Sequence, residues 1–381
     1  MKKILFVVLD TAVGGVSSSL SSLYDKLKDE YDMSVLSLTY SSGANISYKA
    51  ALKHTSYLID CYYSSYKTSS LVKKTIVFIM KILRELFKLI RVDLGEVLLK
   101  HAIWKEERNN HYDTIIAFGE GPATVAVSYS RCNNTISWIH CDYITQSHLD
   151  ESQYFNNYKS IVCVSKISLR HFIECYPQLA DRSTSVYNLM DDNNIRKLSL
   201  CDITDIEYDK GQFQIVSLGR IDSVKRYSSI PQVASLVKNE GINFRWLIIG
   251  PIRENEEFEK LQRNIEKYKV EDCVKWIGGR KNPYPYIKRS SLLVALSKSE
   301  ACPMVFNEAR ILNIPIVSAD FPSSFEFIED GENGLISSIE NLHRPIIKMM
   351  SDESYYKRIK EKSATAVLNQ QLIINQIKQL L

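Results

Sequence analysis

The sequence predicts an α/β fold in two modules, each a parallel sheet covered by helices, and three observations carry the prediction. Short apolar, β-branched runs alternate with longer helical patterns along almost the whole chain. At 381 residues the chain exceeds what one ordinary hydrophobic core organises. A polar, turn-rich stretch, VYNLMDDNNIRKLSLCDITDIEYDKGQ, separates the two series of runs.

In order, the expected strands of the first module are 3–9, 33–38, 114–118, 135–139 and 160–164. Those of the second are 213–218, 246–249, 274–277, 292–296 and 315–318. The expected domains are 1–188 and 189–364. The pattern from 355 to 381 reads as a final helix, whose segment 365–381 packs across the junction to the first domain.

Composition narrows the function classes. A hydrophobic fraction of 45% and a charged fraction of 24% describe a soluble globular chain. A net charge of +4 is too small to imply a nucleic-acid partner. The eight cysteines stand singly, without zinc or dithiol spacing, and read as reduced thiols of a cytoplasmic protein. Lys2-Lys3 and the apolar run after them resemble a signal peptide only until Asp10 and Gly14-Gly15 interrupt the run, so a first strand is expected. No uninterrupted apolar run reaches the roughly 18 residues of a membrane-spanning helix.

The richest stretch is LLVALSKSEACPMVFNEARILNIPIVSADFPSSFEFIEDGENGLI. A buried-type strand ends in a small polar loop bearing Glu300, and a helix starting near Pro303 carries Glu308. The free N–H groups at that helix start, around Met304 and Val305, point where the macrodipole favours a phosphate. Two carboxylates flanking a phosphate site suit the hydroxyl groups of a nucleotide sugar.

Two glutamates so spaced after such a strand resemble the signature of retaining glycosyltransferase family four, whose fold is GT-B: two Rossmann-like domains facing each other across a cleft. The resemblance implies that Glu300 contacts the donor sugar and Glu308 holds the nucleotide ribose. FQIVSLGRIDSVKR resembles the segment whose cations meet the donor diphosphate, here Arg220 and Lys225, with Arg226 as an alternative. A diphosphate leaving group needs such cations as the sugar–oxygen bond breaks. RWLIIGPIRE resembles the next strand, ending at Gly250, and VKWIGGRKNPYPYIKRS the segment near Gly279 and Arg280 that accommodates the base. Arg226 stands where the family often has glycine, and Cys302 lies in a loop of usually small residues.

In the first module, Gly14-Gly15 lack the third glycine and the acidic partner of a dinucleotide-binding turn. The resemblance instead makes them a loop facing the donor, where no side chain intrudes and glycine permits positive φ. Ser17, Ser18 and Ser19 follow, able to cap the helix or bind an acceptor hydroxyl. TISWIHCDY ends a strand at His140, which in the family reaches toward the donor sugar; Asp142 and Ser165 stand near comparable loop starts without an assigned role. Cations in place of a D-x-D motif imply metal-independent catalysis, and no cofactor is implied.

Residues 71–92, LVKKTIVFIMKILRELFKLIRV, form a basic amphipathic pattern. Lys74, Lys81, Arg84, Lys88 and Arg91 share one face, with Ile76, Ile79, Met80, Leu83, Phe87 and Ile90 largely opposite. The pattern fits either an anionic membrane surface or a core helix with a solvated basic rim.

The expected function is therefore transfer of a hexose from a UDP- or GDP-sugar to a glycan hydroxyl, with retention of configuration. On the membrane reading the acceptor is lipid-linked and the enzyme peripheral on the inner membrane face, serving bacterial polysaccharide or glycoconjugate synthesis. The rival readings are a catalytically silent GT-B subunit and a sugar-nucleotide epimerase.

Overall fold

The computed structural model describes residues 1–12, 14–40, 46–63, 70–145, 151–209 and 211–381. The chain forms two compact units, one of Met1–Met190 with Gln370–Leu381 and one of Asp191–Asn369.

In the first unit, β1 (Lys3–Val8), β2 (Asp32–Ser37), β3 (Leu52–His54), β4 (Thr114–Phe118), β5 (Thr135–Ile139), β6 (Ser160–Cys163) and β7 (Ser183–Ser185) pair in the order β3-β2-β1-β4-β5-β6-β7, all parallel. Every residue of β4 and β5 is buried, as strands covered by helices on both faces require. The core on one face runs from Leu5 and Val7 through Ile103, Ile115 and Val127 to Phe155 and Phe172.

In the second unit, β8 (Phe213–Leu218), β9 (Phe244–Ile249), β10 (Val274–Trp276), β11 (Leu292–Ala295), β12 (Ile316–Ala319) and β13 (Leu335–Ser337) pair in the order β10-β9-β8-β11-β12-β13. These pairs are parallel too. In both sheets the chain order reverses once, between β1 and β4 and between β8 and β11. A parallel sheet opens a crevice at the carboxyl ends of its strands at such a point.

Three strands fall outside the sequence expectation: β3, β7 and β13. Each has three residues and lies at a sheet edge, and β3 and β7 hold no buried residue, so no apolar run announces them. The expected final helix 355–381 is two helices, Glu353–Thr365 and Gln370–Leu380. The second is bound into the first unit: Lys2 Nζ donates to the Leu381 carbonyl at 3.0 Å, Asn134 Nδ2 donates to that of Leu380 at 3.2 Å, and Lys378 pairs with Glu30 at 2.6 Å.

The turn-rich stretch between the sheets begins with a helix, Asp192–Leu198, capped by the Asp191 side chain. It then docks on its own unit. Asp205 pairs with Arg280 and accepts from the Tyr286 hydroxyl at 2.6 Å, and Arg245 Nη1 donates to the Glu207 carbonyl at 2.5 Å.

Candidate active site

The carboxyl ends of β8, β9 and β11 carry the side chains expected to grip a donor. β8 is followed by Gly219 and Arg220, and β9 by Gly250, whose missing side chain is a packing requirement. A Cβ there would lie 1.7 Å from the Gly219 carbonyl oxygen. Gly250→Ala is therefore expected to lower unit stability by about 3 kcal/mol, a fall in Tm of roughly 10 °C, measured by differential scanning calorimetry.

After the turn, Lys225 reaches the loop that follows β11. Its Nζ pairs with Glu300, and Ser297 Oγ donates to the same carboxylate oxygen at 2.6 Å. Ser323 Oγ donates to the Glu300 carbonyl at 2.6 Å, fixing the loop from the β12 side. Both partners of the ion pair are largely buried, with 17% and 18% of their side chains exposed.

Arg226 is turned to backbone carbonyls, unlike Lys225. Its backbone is left-handed (φ 53°), a conformation that glycine adopts at the least steric cost. Its guanidinium donates to the carbonyls of Leu296 and Ser297, each at 2.7 Å, so it tethers the strand end that launches the Glu300 loop. Arg220 is half-exposed, with Nε 3.6 Å from Asp222.

The helix Met304–Ile311 starts at Pro303, whose side chain supplies no cap, and no side-chain cap among the described residues takes the amides of Met304 and Val305 at the helix start. Glu308 lies a turn further along. The Tyr284 hydroxyl donates to it and Lys225 lies within electrostatic reach, yet burial dominates and pushes its carboxyl up to about 7. Arg280 turns its side chain to Asp205 and Tyr286, which leaves the backbone of the 279–280 segment as its contribution to any base pocket.

In the first unit the glycine turn differs from expectation. Gly14 is extended (φ 178°), a conformation open to any residue, and a Cβ there would meet no atom within 4 Å. What glycine supplies at this position is open space, not relief of strain. Ser17 caps the helix Gly15–Leu27: its hydroxyl accepts from Gly14 N at 3.2 Å and donates to the Ala12 carbonyl at 2.8 Å. Ser19 is spent on buried Asn188 at 2.9 Å, leaving Ser18 exposed.

His140 follows β5 with its ring 4.5 Å from that of Phe118. Its Nε2 is buried without a protein partner among the described residues, and burial lowers its pKa to about 3, so the imidazole is neutral. Sequence reasoning missed what holds it. The Glu120 carboxylate accepts from the backbone N–H groups of His140 and of Cys141, the latter at 2.6 Å, and burial raises its pKa. Asp142 pairs with His171 Nδ1 at 2.8 Å, and Ser165 caps the helix Lys166–Cys175; both serve structure.

The basic stretch is a helix, Leu71–Leu89, with Lys74, Lys81, Arg84, Lys88 and Arg91 all exposed. Its apolar residues divide, which neither sequence reading anticipated. Val77 and Met80 are buried with Cys61 and Leu94, and Ile76, Leu83 and Phe87 pack against them. Ile79 and Ile90 point to solvent.

Two parallel-sheet Rossmann-like units with charged groups at their strand ends define the class of GT-B proteins. Solved structures agree. Anabaena Alr3699/HepE in complex with UDP and glucose matches 100% of this chain and 99% of its own, at a TM-score of 0.73 and 16% identity. A complex of S. aureus TarM containing UDP matches 100% and 99%, at a TM-score of 0.73 and 13% identity.

Residues 202–365 match the family model of glycosyl transferases group 1. An uncharacterised glycosyltransferase of Methanocaldococcus jannaschii is 27% identical over 172 residues, 44% of this chain and 41% of the relative. The poly(glycerol-phosphate) α-glucosyltransferase of Bacillus subtilis is 28% identical over 156 residues, 40% of this chain and 23% of the relative. The match thus spans less than half the length of these curated relatives.

Proposed function

We propose that the protein is a retaining glycosyltransferase that moves a hexose from a nucleoside diphosphate sugar to a glycan hydroxyl in polysaccharide or glycoconjugate synthesis. One observation carries the reading: within a glycosyl transferases group 1 segment, Lys225, Glu300 and Glu308 converge beside an uncapped helix N-terminus where the sheet order reverses. UDP and glucose in a fold neighbour, and a glucosyltransferase among the relatives, favour a UDP-hexose over a GDP-hexose.

Lys225 and Glu300 satisfy each other in the structure. A diphosphate docking on the amides of Met304 and Val305 draws Lys225 and Arg220 to its charge, which releases Glu300 to accept from sugar hydroxyls. These cations do the work for which other enzymes use a divalent ion. The bond from the anomeric carbon to the diphosphate breaks, and the acceptor oxygen attacks from the same face. The acceptor's proton passes to the departing phosphate oxygen. In the first unit, His140 is proposed as a neutral hydrogen-bonding group, and Gly14 as a position kept clear of any side chain. The acceptor is a lipid-linked glycan, met at the inner face of the cell membrane.

Thermal shift with UDP, GDP and their sugars, combined with donor hydrolysis, tests the reading. A rise in Tm with UDP and slow release of free hexose are the expected results. Binding without hydrolysis or transfer would assign a silent subunit, and interconversion of free nucleotide sugars would assign an epimerase.

A further inference from the structure

We infer that the helix Leu71–Leu89 is a membrane-docking element whose outward apolar stripe enters an anionic bilayer while a row of lysines beside it meets the headgroups. The inference deepens the lipid-linked acceptor reading and rests on it for its purpose, though not for its observations.

The helix has three longitudinal zones. One moors it: Val77 and Met80 are buried, and Lys73 Nζ binds the buried Asp60 carboxylate at 2.6 Å. The second is Leu71, Phe78, Ile82, Leu86 and Leu89, which recur on one face at helical spacing. These five are 78%, 57%, 47%, 52% and 80% exposed. A helix face that met only water would carry polar residues at such positions, and a contiguous apolar stripe on a surface marks an interaction site.

The third zone names the partner. Lys74, Lys81 and Lys88 recur at seven-residue intervals, so they form a single row, and helical geometry sets that row alongside the stripe at Phe78. Between residues 74 and 91 five exposed cations stand against Glu85 alone, which pairs with Lys88 at 2.8 Å. At the end of the row a cavity of about 220 Å³ is lined by Arg84, Lys88, Arg91, Tyr62 and Asp93 among others. Its cations outnumber its one carboxylate, which suits a phosphate-bearing headgroup. An apolar stripe with a cationic rim is the chemistry of a helix lying in the plane of an anionic bilayer. A second copy of this chain would bring a like-charged row toward this one.

The test is flotation of the full chain with vesicles of phosphatidylcholine alone, or mixed in equal parts with phosphatidylglycerol, at low and high salt. The chain is expected to float with the mixed vesicles at low salt and to stay in solution with the neutral ones. The variant Ile82→Ser with Leu86→Ser, and the variant Lys74→Gln with Lys81→Gln and Lys88→Gln, are each expected to bind the mixed vesicles more than about tenfold more weakly. Their melting temperatures and UDP-induced thermal shifts should stay at the wild-type values. Failure of the wild type to float at low salt, undiminished binding by the serine variant, or loss of a dimer in that variant by sedimentation would each overturn the inference. Those results would leave the donor site untouched. Conversely, flotation without any nucleotide binding would overturn the proposed activity and leave the docking helix standing.

Discussion

Lys225→Ala is expected to reduce turnover by roughly 100- to 1,000-fold, the usual cost of removing one preorganised charge partner from a transition state. This ammonium pairs with Glu300 and is sheltered from water, and in the proposed mechanism it turns to the diphosphate where leaving-group charge develops. Its effect belongs to the breaking bond more than to the bound donor. UDP affinity should therefore change by less than about tenfold while kcat falls, because only the interaction gained in the transition state is lost. Hexose release and transfer from labelled donor, beside UDP titration calorimetry, separate the two quantities. Equal turnover in variant and wild type would remove Lys225 from the chemistry. The variant also leaves Glu300 with Ser297 as its remaining side-chain partner, so circular dichroism is needed to show that the loop survives.

The second large effect concerns Glu308. Burial pushes its carboxyl up to about 7, although the Tyr284 hydroxyl and Lys225 both favour the charged form. If the carboxylate accepts from a nucleotide ribose, UDP affinity should rise with pH through about 7 and level off above it. Glu308→Gln should bind about ten- to a hundredfold more weakly at pH 8, the worth of a hydrogen bond to a charged group, and show no such pH dependence. Stability moves the opposite way. A carboxyl whose pKa is raised by folding contributes most below its unfolded value of 4.5, and that contribution is lost as pH climbs through about 7. The glutamine variant should therefore gain on the wild type between pH 5 and pH 8, by up to about 3 kcal/mol. Denaturant titrations at both pH values measure this, and a parallel pH response in the two proteins would contradict it.

What was legible in the sequence follows from what each residue does physically. The central strands are buried over most of their length, so β1, β4, β5, β8 and β9 are rich in apolar, β-branched and aromatic residues and stood out as such. Lys225, Glu300 and Glu308 were visible as charges in short loops or at a helix start beside such runs. Tyr284 was not, because a tyrosine in NPYPYIK looks the same whether its hydroxyl meets water or a carboxylate. Glu120 was hidden for a related reason: its partners are backbone amides twenty residues away, and amides carry no sequence signature. The glycine turn was read as a place where no side chain intrudes and positive φ is permitted; Gly14 has open space around it but is extended, because sequence alone does not say which property of glycine a turn uses. The apolar positions of 71–89 were taken as one face, because periodicity shows which residues align and not which of two adjoining zones finds a partner.

The path of the backbone sets an order on biosynthesis. The polypeptide leaves the first unit after Met190 and rejoins it at Gln370, so the ribosome delivers the whole second unit while the earlier one still lacks a helix. Until that helix arrives, the Lys2 ammonium and the Asn134 amide have no carbonyls to meet, and Ile373 and Ile377 cannot cover their part of the core. The portion made first is thus the last to be completed, and a nascent chain halted near residue 369 would carry one finished unit behind one unfinished one.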